Sequence, residues 1–124
     1  MQKRSIIRIK NFEIIVELNS SKTASLIWDN LPISSNVNTW GEEIYFKANV
    51  EVDLDVKAKD VIDFGEIVYW PDGKIIAIGF GKTPISVGQE IRLMEKCNVW
   101  GNTKFDLKKL KKVSNGELVS VIKV

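Results

Sequence analysis

The chain has 124 residues, 44% of them apolar and 27% charged, and its 18 basic and 16 acidic side chains give a net charge of +2 at pH 7. This is the composition of one ordinary soluble domain, so we expect residues 1–124 to form a single domain. The absence of histidine excludes Ser-His-Asp and Cys-His triads and histidine-based metal sites. Cys97 is the only cysteine, which excludes an internal disulfide and a thiolate zinc site. We therefore predict no metal, no cofactor and a reducing, cytoplasmic compartment.

Neither a membrane nor a nucleic acid is indicated as a partner. No segment approaches the roughly 20 apolar residues that cross a bilayer, and the N-terminal segment has no apolar signal core. A net charge of +2 is too small to indicate nucleic-acid binding. The basic segment 104–112 is short, and we interpret it as the solvated face of a helix.

The first part of the chain predicts three strands and one helix. Apolar and polar residues alternate along 12–18, which is typical of a strand with one buried face. Two serines and Pro32 delimit the helix, and Asn11 lies at the turn between the first two strands. The predicted elements are strands at 5–10 and 12–18, a helix at 22–31, a loop or irregular edge at 33–39 and a strand at 40–46.

The second part of the chain predicts five more strands and a second helix. Valine and leucine alternate with Glu and Asp along 47–60, which indicates a half-exposed strand. Pro71 and Gly73 predict a hairpin turn in which the glycine supplies a positive φ, and Asp106 is placed to cap a helix. The predicted elements are strands at 47–60, 66–70, 74–80, 98–102 and 117–124, and a helix at 107–113. Eight short strands and two short helices are the pattern of a small barrel or sandwich.

Aromatic side chains are numerous for so small a barrel. Tyr69 and Trp70 are neighbours in one predicted strand and point to opposite faces, so at least one of them lies outside the core or at its rim. One interpretation is an aromatic cleft that binds an extended peptide or a small apolar ligand. The alternative is barrel packing, which accounts for about half or more of these residues. The candidate cleft residues are Trp40, Tyr45, Phe46, Tyr69, Trp70 and Phe80.

Glu43, Lys82 and Thr83 are the candidate polar contacts of this cleft. Glu42 and Glu43 point to opposite faces of a strand, so they cannot flank one bond as an acid and base pair. Burial of Glu43 beside aromatic residues would raise its pKa and make it a polar anchor or proton acceptor. A hydrogen-bonded structural carboxylate is the commoner alternative. Lys82 and Thr83 do not belong to a P-loop, because Ile76 stands where the first glycine would be required.

Three segments together resemble a known family. They are WGEEIYF at 40–46, GEIVYWP at 65–71 and FGKTPIS at 80–86, and NVWG at 98–101 adds a fourth match. In order and spacing they are similar to the small prokaryotic cyclophilin-like proteins, over most of the chain. The resemblance implies a closed barrel of roughly eight strands with two short helices, in agreement with the elements counted above. We therefore predict an all-β, cyclophilin-like fold.

The resemblance does not imply prolyl isomerase activity. The isomerases among the cyclophilins carry a Phe-His-Arg strand whose arginine polarises the prolyl amide, and that string is absent from this sequence. Loss of a positioned donor removes much of the catalysis of a step with a barrier of about 18–20 kcal/mol. We therefore expect a protein that binds a peptide or a small molecule, with no assigned catalytic residue. A weak or atypical prolyl isomerase and a homo-oligomeric interaction protein are the alternatives, and both a monomer and a small homo-oligomer fit the sequence.

Overall fold

Antiparallel strands form an almost closed barrel in the computed structural model, which describes residues 2–124. In chain order the strands are β1 (Arg4–Ile9), β2 (Phe12–Leu18), β3 (Ile33–Asn36), β4 (Asn38–Thr39), β5 (Glu43–Lys47), β6 (Lys59–Ile62), β7 (Glu66–Trp70), β8 (Ile75–Gly79), β9 (Ile91–Asn102) and β10 (Leu118–Lys123). Helix α1 spans Lys22–Asp29, and a 3-10 helix spans Leu107–Lys112.

The strand order explains why the sheet nearly closes on itself. Neighbouring strands follow the order β3-β10-β1-β2-β9-β7-β8-β5-β4, and β6 lies off this path, paired with β9. Because β3 and β4 are consecutive in the chain but lie at opposite ends of the order, the two edges of the sheet meet at Val37. The predicted all-β barrel with two short helices is confirmed.

The hairpin of β1 and β2 shows how the sequence pattern builds the barrel. Apolar residues at alternate positions, among them Ile7 and Ile14, are completely buried in the core. On the outer face Arg8 pairs with Glu13 across the two strands, with Nε and Oε2 2.8 Å apart. The turn at residues 10 and 11 is tight, and Lys10 adopts a φ of 56°. Alternation therefore sets which face of each strand is buried.

The two helices cover the barrel core, and their starts follow from capping residues. The Ser21 hydroxyl accepts a hydrogen bond from the backbone N–H of Ala24 at 3.1 Å, which fixes the start of α1. Asp106 accepts from the backbone N–H of Lys108 at the start of the 3-10 helix. Ile27 from α1 and Leu107 from the 3-10 helix are buried in the same core as the strands.

The predicted strand at 47–60 is wrong over most of its length. β5 ends at Lys47 and β6 begins at Lys59, and the residues between them form no strand. Buried side chains replace the hydrogen bonds of a strand ladder there. The Tyr69 hydroxyl accepts from the backbone N–H of Val50 at 3.1 Å, and Oδ1 of Asn98 accepts from the N–H of Asp55 at 2.7 Å. The apolar and acidic alternation marks a segment fixed by side chains rather than by a neighbouring strand.

Removal of the Tyr69 hydroxyl is expected to weaken the attachment of this segment. The hydroxyl also directs its proton towards the carbonyl oxygens of Ala48 at 2.6 Å and Val50 at 2.8 Å, so Tyr69→Phe leaves three buried backbone groups with one partner fewer. We expect a loss of about 1–3 kcal/mol in the free energy of unfolding, measured by urea denaturation. Tyr45→Phe, which removes a hydroxyl from a half-buried side chain, should change it by less than about 0.5 kcal/mol. Equal effects of the two variants would contradict this explanation.

Other predicted segments differ from the structure in part. The segment 33–39, predicted to be a loop or irregular edge, forms the two edge strands β3 and β4, because its Ser- and Asn-rich residues pair at the margins of the sheet. The strand predicted at 98–102 is only the end of β9, which begins at Ile91. The first half of β9 leaves the barrel wall and pairs with β6. Its exposed charged residues, Glu95 and Lys96, break the alternation that identifies a strand with one buried face.

Candidate functional site

A second apolar cluster lies on the outer face of the barrel wall formed by β5, β7 and β8. Successive residues of a strand point to opposite faces, so Tyr45 and Trp70 point outward while their neighbours Phe46 and Tyr69 point into the core. β6 and the first half of β9 fold over this outer face and bring Leu93 onto it. The wall is therefore apolar on both sides.

A cavity of about 340 Å³ remains between the outer face and the first half of β9. Most of its surface is apolar, and the exposed side chains of Met94 and Glu95 lie at its mouth. Its volume is at the low end of the range of about 300–1,000 Å³ that is typical of small-molecule sites. The residues that line it are Trp40, Glu43, Tyr45, Trp70, Ile75, Ala77, Leu93, Met94, Glu95 and Cys97.

The carboxyl group of Glu43 is buried in the cavity. Only 7% of the residue is exposed, and Oε1 has no hydrogen-bond partner in the described part of the chain. Burial removes water from the carboxylate and raises the pKa of Glu43 from 4.5 to about 8. The carboxyl group is therefore largely neutral at pH 7 in the free protein, and it can donate or accept one hydrogen bond.

Cys97 also lines the cavity, but its thiol is not an activated nucleophile. Burial raises the pKa of Cys97 to about 12, and the nearby negative charges of Glu43 and Glu95 act in the same direction. Its Sγ lies 3.4 Å from the carbonyl oxygen of Glu95, to which it donates. Since the thiolate is the reactive form of cysteine, this side chain contributes an apolar surface to the cavity and no covalent chemistry.

The turn between β7 and β8 positions the indole of Trp70. The prediction that Gly73 supplies a positive φ is wrong, because the residue with positive φ in this turn is Lys74, at 54°. Gly73 is needed for space: a Cβ atom there would lie 2.3 Å from Cε3 of Trp70. The glycine therefore allows the indole to lie directly against the turn, at the edge of the cavity.

The structure brings four of the nine predicted site residues together. Trp40, Glu43, Tyr45 and Trp70 line the cavity. The other five lie elsewhere. Three of these are aromatic residues whose side chains are buried in the barrel core, namely Phe46, Tyr69 and Phe80. The remaining two are polar: Lys82 is exposed, and Thr83 is buried, with its hydroxyl donating to the carbonyl oxygen of Arg92 at 2.5 Å.

Six lining residues were missed by the sequence reasoning. Ile75 and Ala77 could have been found, because they alternate along the predicted strand 74–80 and must share one face. Leu93, Met94, Glu95 and Cys97 belong to the half of β9 that no sequence pattern predicted.

The described residues contain no group of three or more His, Cys, Asp or Glu side chains that could hold a metal ion. No helix of the described chain is long and apolar enough to cross a membrane. Among the described residues that line this cavity there is also no arginine that could polarise a prolyl amide. Instead the guanidinium of Arg92 hydrogen-bonds Glu90 at 2.5 Å and Asp60 at 3.3 Å.

Comparison with known proteins places this fold and sequence in one family. The structure is similar to the solution structure of the hypothetical protein AF2241 from Archaeoglobus fulgidus, with a TM-score of 0.83 and 40% identity over 99% of this chain and 95% of that one. It is also similar to McbB, solved in complex with tryptophan, with a TM-score of 0.64 and 15% identity over 95% of this chain and 44% of that chain. The second likeness concerns the fold alone. No match is found among the curated proteins. The cyclophilin-like family model matches residues 3–122, and the chain therefore belongs to the cyclophilin-like family.

Proposed function

We propose that this protein binds a small, largely apolar ligand in the cavity between the outer face of β5, β7 and β8 and the first half of β9. The observation that carries the proposal is an aromatic-walled cavity with a buried carboxyl oxygen that has no partner. A buried polar group without a hydrogen bond costs about 1–3 kcal/mol, so such groups in native proteins call for an explanation. A ligand with one polar group, placed beside Glu43, would supply the missing partner.

The size of the cavity favours a small molecule over an extended peptide. At about 340 Å³ it can enclose one compact ligand, and the apolar residues that surround it would remove most of that ligand from water. Trp40, Tyr45 and Trp70 offer broad rigid surfaces that lose little conformational entropy on binding. Prolyl isomerisation has less support, because Arg92 is held by Glu90 and Asp60 and lies outside the lining of the cavity.

A chemical-shift titration of the isotope-labelled protein tests the proposal. The probes are a set of aromatic fragments, including benzyl alcohol, and a set of proline-containing peptides recorded with exchange spectra on the same samples. We expect fragments to shift the indole resonances of Trp40 and Trp70 and to leave those of Trp28 and Trp100 in place. Catalysed exchange at the proline would favour the isomerase instead. No shifts with any probe would contradict the binding function.

The variant Trp70→Ala is expected to weaken fragment binding at least about tenfold, because it removes one wall of the cavity. Trp28→Ala is the matched control. Its indole is also half-buried, but it packs near the amines of Lys3 and Lys123, at 5.3 and 4.9 Å, and not on the cavity. Calorimetry measures the dissociation constants of the fragments for the wild type and both variants. A fragment whose dissociation constant is unchanged by Trp70→Ala binds outside the cavity.

A further inference from the structure

The carboxyl groups that line the cavity have no basic side chain beside them. Glu43 lies inside it and Glu95 at its mouth, and among the described residues that line it there is no lysine or arginine. A low-dielectric cavity whose lining has carboxyl groups and no basic side chain disfavours an anionic ligand, because no cationic group there compensates the ligand's negative charge.

The surface next to the mouth is also acidic. An adjoining groove shares Trp70 and Glu95 with the cavity and adds Asp60 and Asp72, against one lining lysine, Lys96. Arg92 also pairs with Asp60 at 3.3 Å, so three carboxylates stand against two cations. This local excess of carboxylates contrasts with the net charge of +2 for the whole chain. A cleft with an excess of one sign of charge concentrates ligands of the opposite sign at its entrance.

The aromatic walls of the cavity, like its carboxyl groups, favour a cationic ligand. Trp40, Tyr45 and Trp70 carry π systems whose faces attract cations, and this attraction is strongest where water is excluded. A neutral ligand would use the apolar surface but not the charge of Glu43 or of the mouth. A cationic ligand would use the apolar surface, the aromatic faces and the carboxylates together.

We propose that the ligand of this cavity is an organic cation, an aromatic or alkyl ammonium compound whose counter-ion is the carboxylate of Glu43. This inference rests on the proposed function and deepens it, since it names the class of ligand. The ammonium group lies beside Oε1, the atom without a partner, and the apolar part of the ligand contacts Trp40, Tyr45 and Trp70.

Binding is then coupled to the loss of one proton from Glu43. The free carboxyl group holds its proton because burial raises its pKa to about 8, and a bound cation favours the ionised form. The proton leaves to solvent. The ionisable groups that line the cavity with Glu43 are Tyr45 on its own strand and Glu95 and Cys97 on β9, and the lining residues of β7 and β8 do not ionise. Asp60 on β6 lies in the adjoining groove, where it pairs with Arg92.

Calorimetric titration with benzyltrimethylammonium tests the inference, because its charge does not change with pH. With a pKa of about 8, Glu43 is about 3% ionised at about pH 6.5 and about 90% ionised at about pH 9. We therefore expect the affinity of the wild type for this cation to rise roughly thirtyfold between these two pH values. Glu43→Gln is expected to bind it weakly at both, without the rise.

Benzyl alcohol, a neutral ligand with the same ring, serves as the control on the same proteins. We expect its affinity to be independent of pH and to differ little between the wild type and Glu43→Gln. Binding of benzyl alcohol without any preference for the cation would overturn the cationic class while the proposed function survives. If the cation binds equally well to Glu43→Gln, Glu43 is not its counter-ion and the inference fails. If neither compound shifts the cavity resonances, both the inference and the proposed function lose their support.

Discussion

Substitution of Glu43 by glutamine is expected to stabilise the protein at high pH by far more than at low pH. We expect the difference in unfolding free energy between Glu43→Gln and the wild type to grow by about 5 kcal/mol between about pH 4 and about pH 9, in favour of the variant. The reason is the rise in the pKa of Glu43 from 4.5 to about 8 on burial. Urea denaturation at a series of pH values measures it.

The direction of this pH dependence follows from which state, folded or unfolded, binds the proton of Glu43. Below the unfolded pKa of 4.5 the carboxyl group is neutral in both states, and its ionisation costs the folded protein nothing. Between 4.5 and about 8 the unfolded chain loses this proton while the folded chain keeps it, so the wild type loses stability as the pH rises. Above about 8 both states are ionised and the cost is constant. Glutamine has no such proton, so the variant lacks this part of the pH dependence.

Glu42→Gln is the matched control, since it removes the same charge from the adjacent residue on the opposite face of the chain. The Glu42 side chain is 34% exposed, and its carboxylate lies 3.7 Å from the amine of Lys111. An exposed ion pair of this kind is worth about 0–1 kcal/mol, so we expect Glu42→Gln to change the stability by no more than that. A Glu43→Gln effect that does not vary with pH would mean that the carboxyl group is solvated, contrary to the burial observed.

Substitution of Phe46 by alanine is expected to cost about 3–5 kcal/mol in the free energy of unfolding. The Phe46 side chain is completely buried in the barrel core, where the neighbouring strands cannot collapse into the space that it leaves. Its effect on fragment binding should be negligible in the molecules that remain folded, because Phe46 does not line the cavity. Thermal and urea unfolding measure the first effect, and calorimetry the second.

Tyr45→Ala gives the opposite result if the two faces of β5 have separate roles. Tyr45 lines the cavity and is half-buried, so its removal should weaken fragment binding at least about tenfold at a smaller loss of stability, about 1–2 kcal/mol. The free energy of unfolding of a small domain is typically about 5–15 kcal/mol, so Phe46→Ala is expected to remove a large part of it. Phe46→Leu therefore serves as the milder core variant. Equal effects of the Tyr45 and Phe46 variants on binding would refute the separation.

Much of the fold could be predicted from local pattern. Strands β1, β2, β7, β8 and β10 and helix α1 lie close to the predicted positions, because their apolar residues recur at the strand or helix period and their ends carry turn or capping residues. The segment 47–60 misled the prediction, since alternation does not reveal whether a neighbouring strand exists to pair with it. The first half of β9 was missed for the opposite reason, because it pairs with β6 although its own sequence alternates poorly.

The candidate site, like the fold, could be predicted from local pattern only in part. The sequence places Glu43 and Tyr45 on one face of a strand and Ile44 and Phe46 on the other, because successive side chains alternate. The sequence does not determine which of the two faces points into the barrel core, nor that β6 and β9 cover the outer face. Phe46, Tyr69 and Phe80 were candidates for the cleft on composition alone, and their assignment to the core needed the closed sheet.

Composition and alternation, then, were enough to predict a small all-β barrel or sandwich, to exclude histidine chemistry, and to limit the site candidates to aromatic residues and a few polar ones, and the family resemblance added the closed barrel. These properties depend on residue type and local period, which any stretch of chain carries with it. The cavity and the burial of Glu43 depended on tertiary structure. They arise because Leu93 and Cys97, about fifty residues further along the chain, are brought over the outer face by the pairing of β6 with β9. Contacts between segments so distant in sequence have no local signal, and they alone turn an ordinary strand carboxylate into a buried group with a raised pKa.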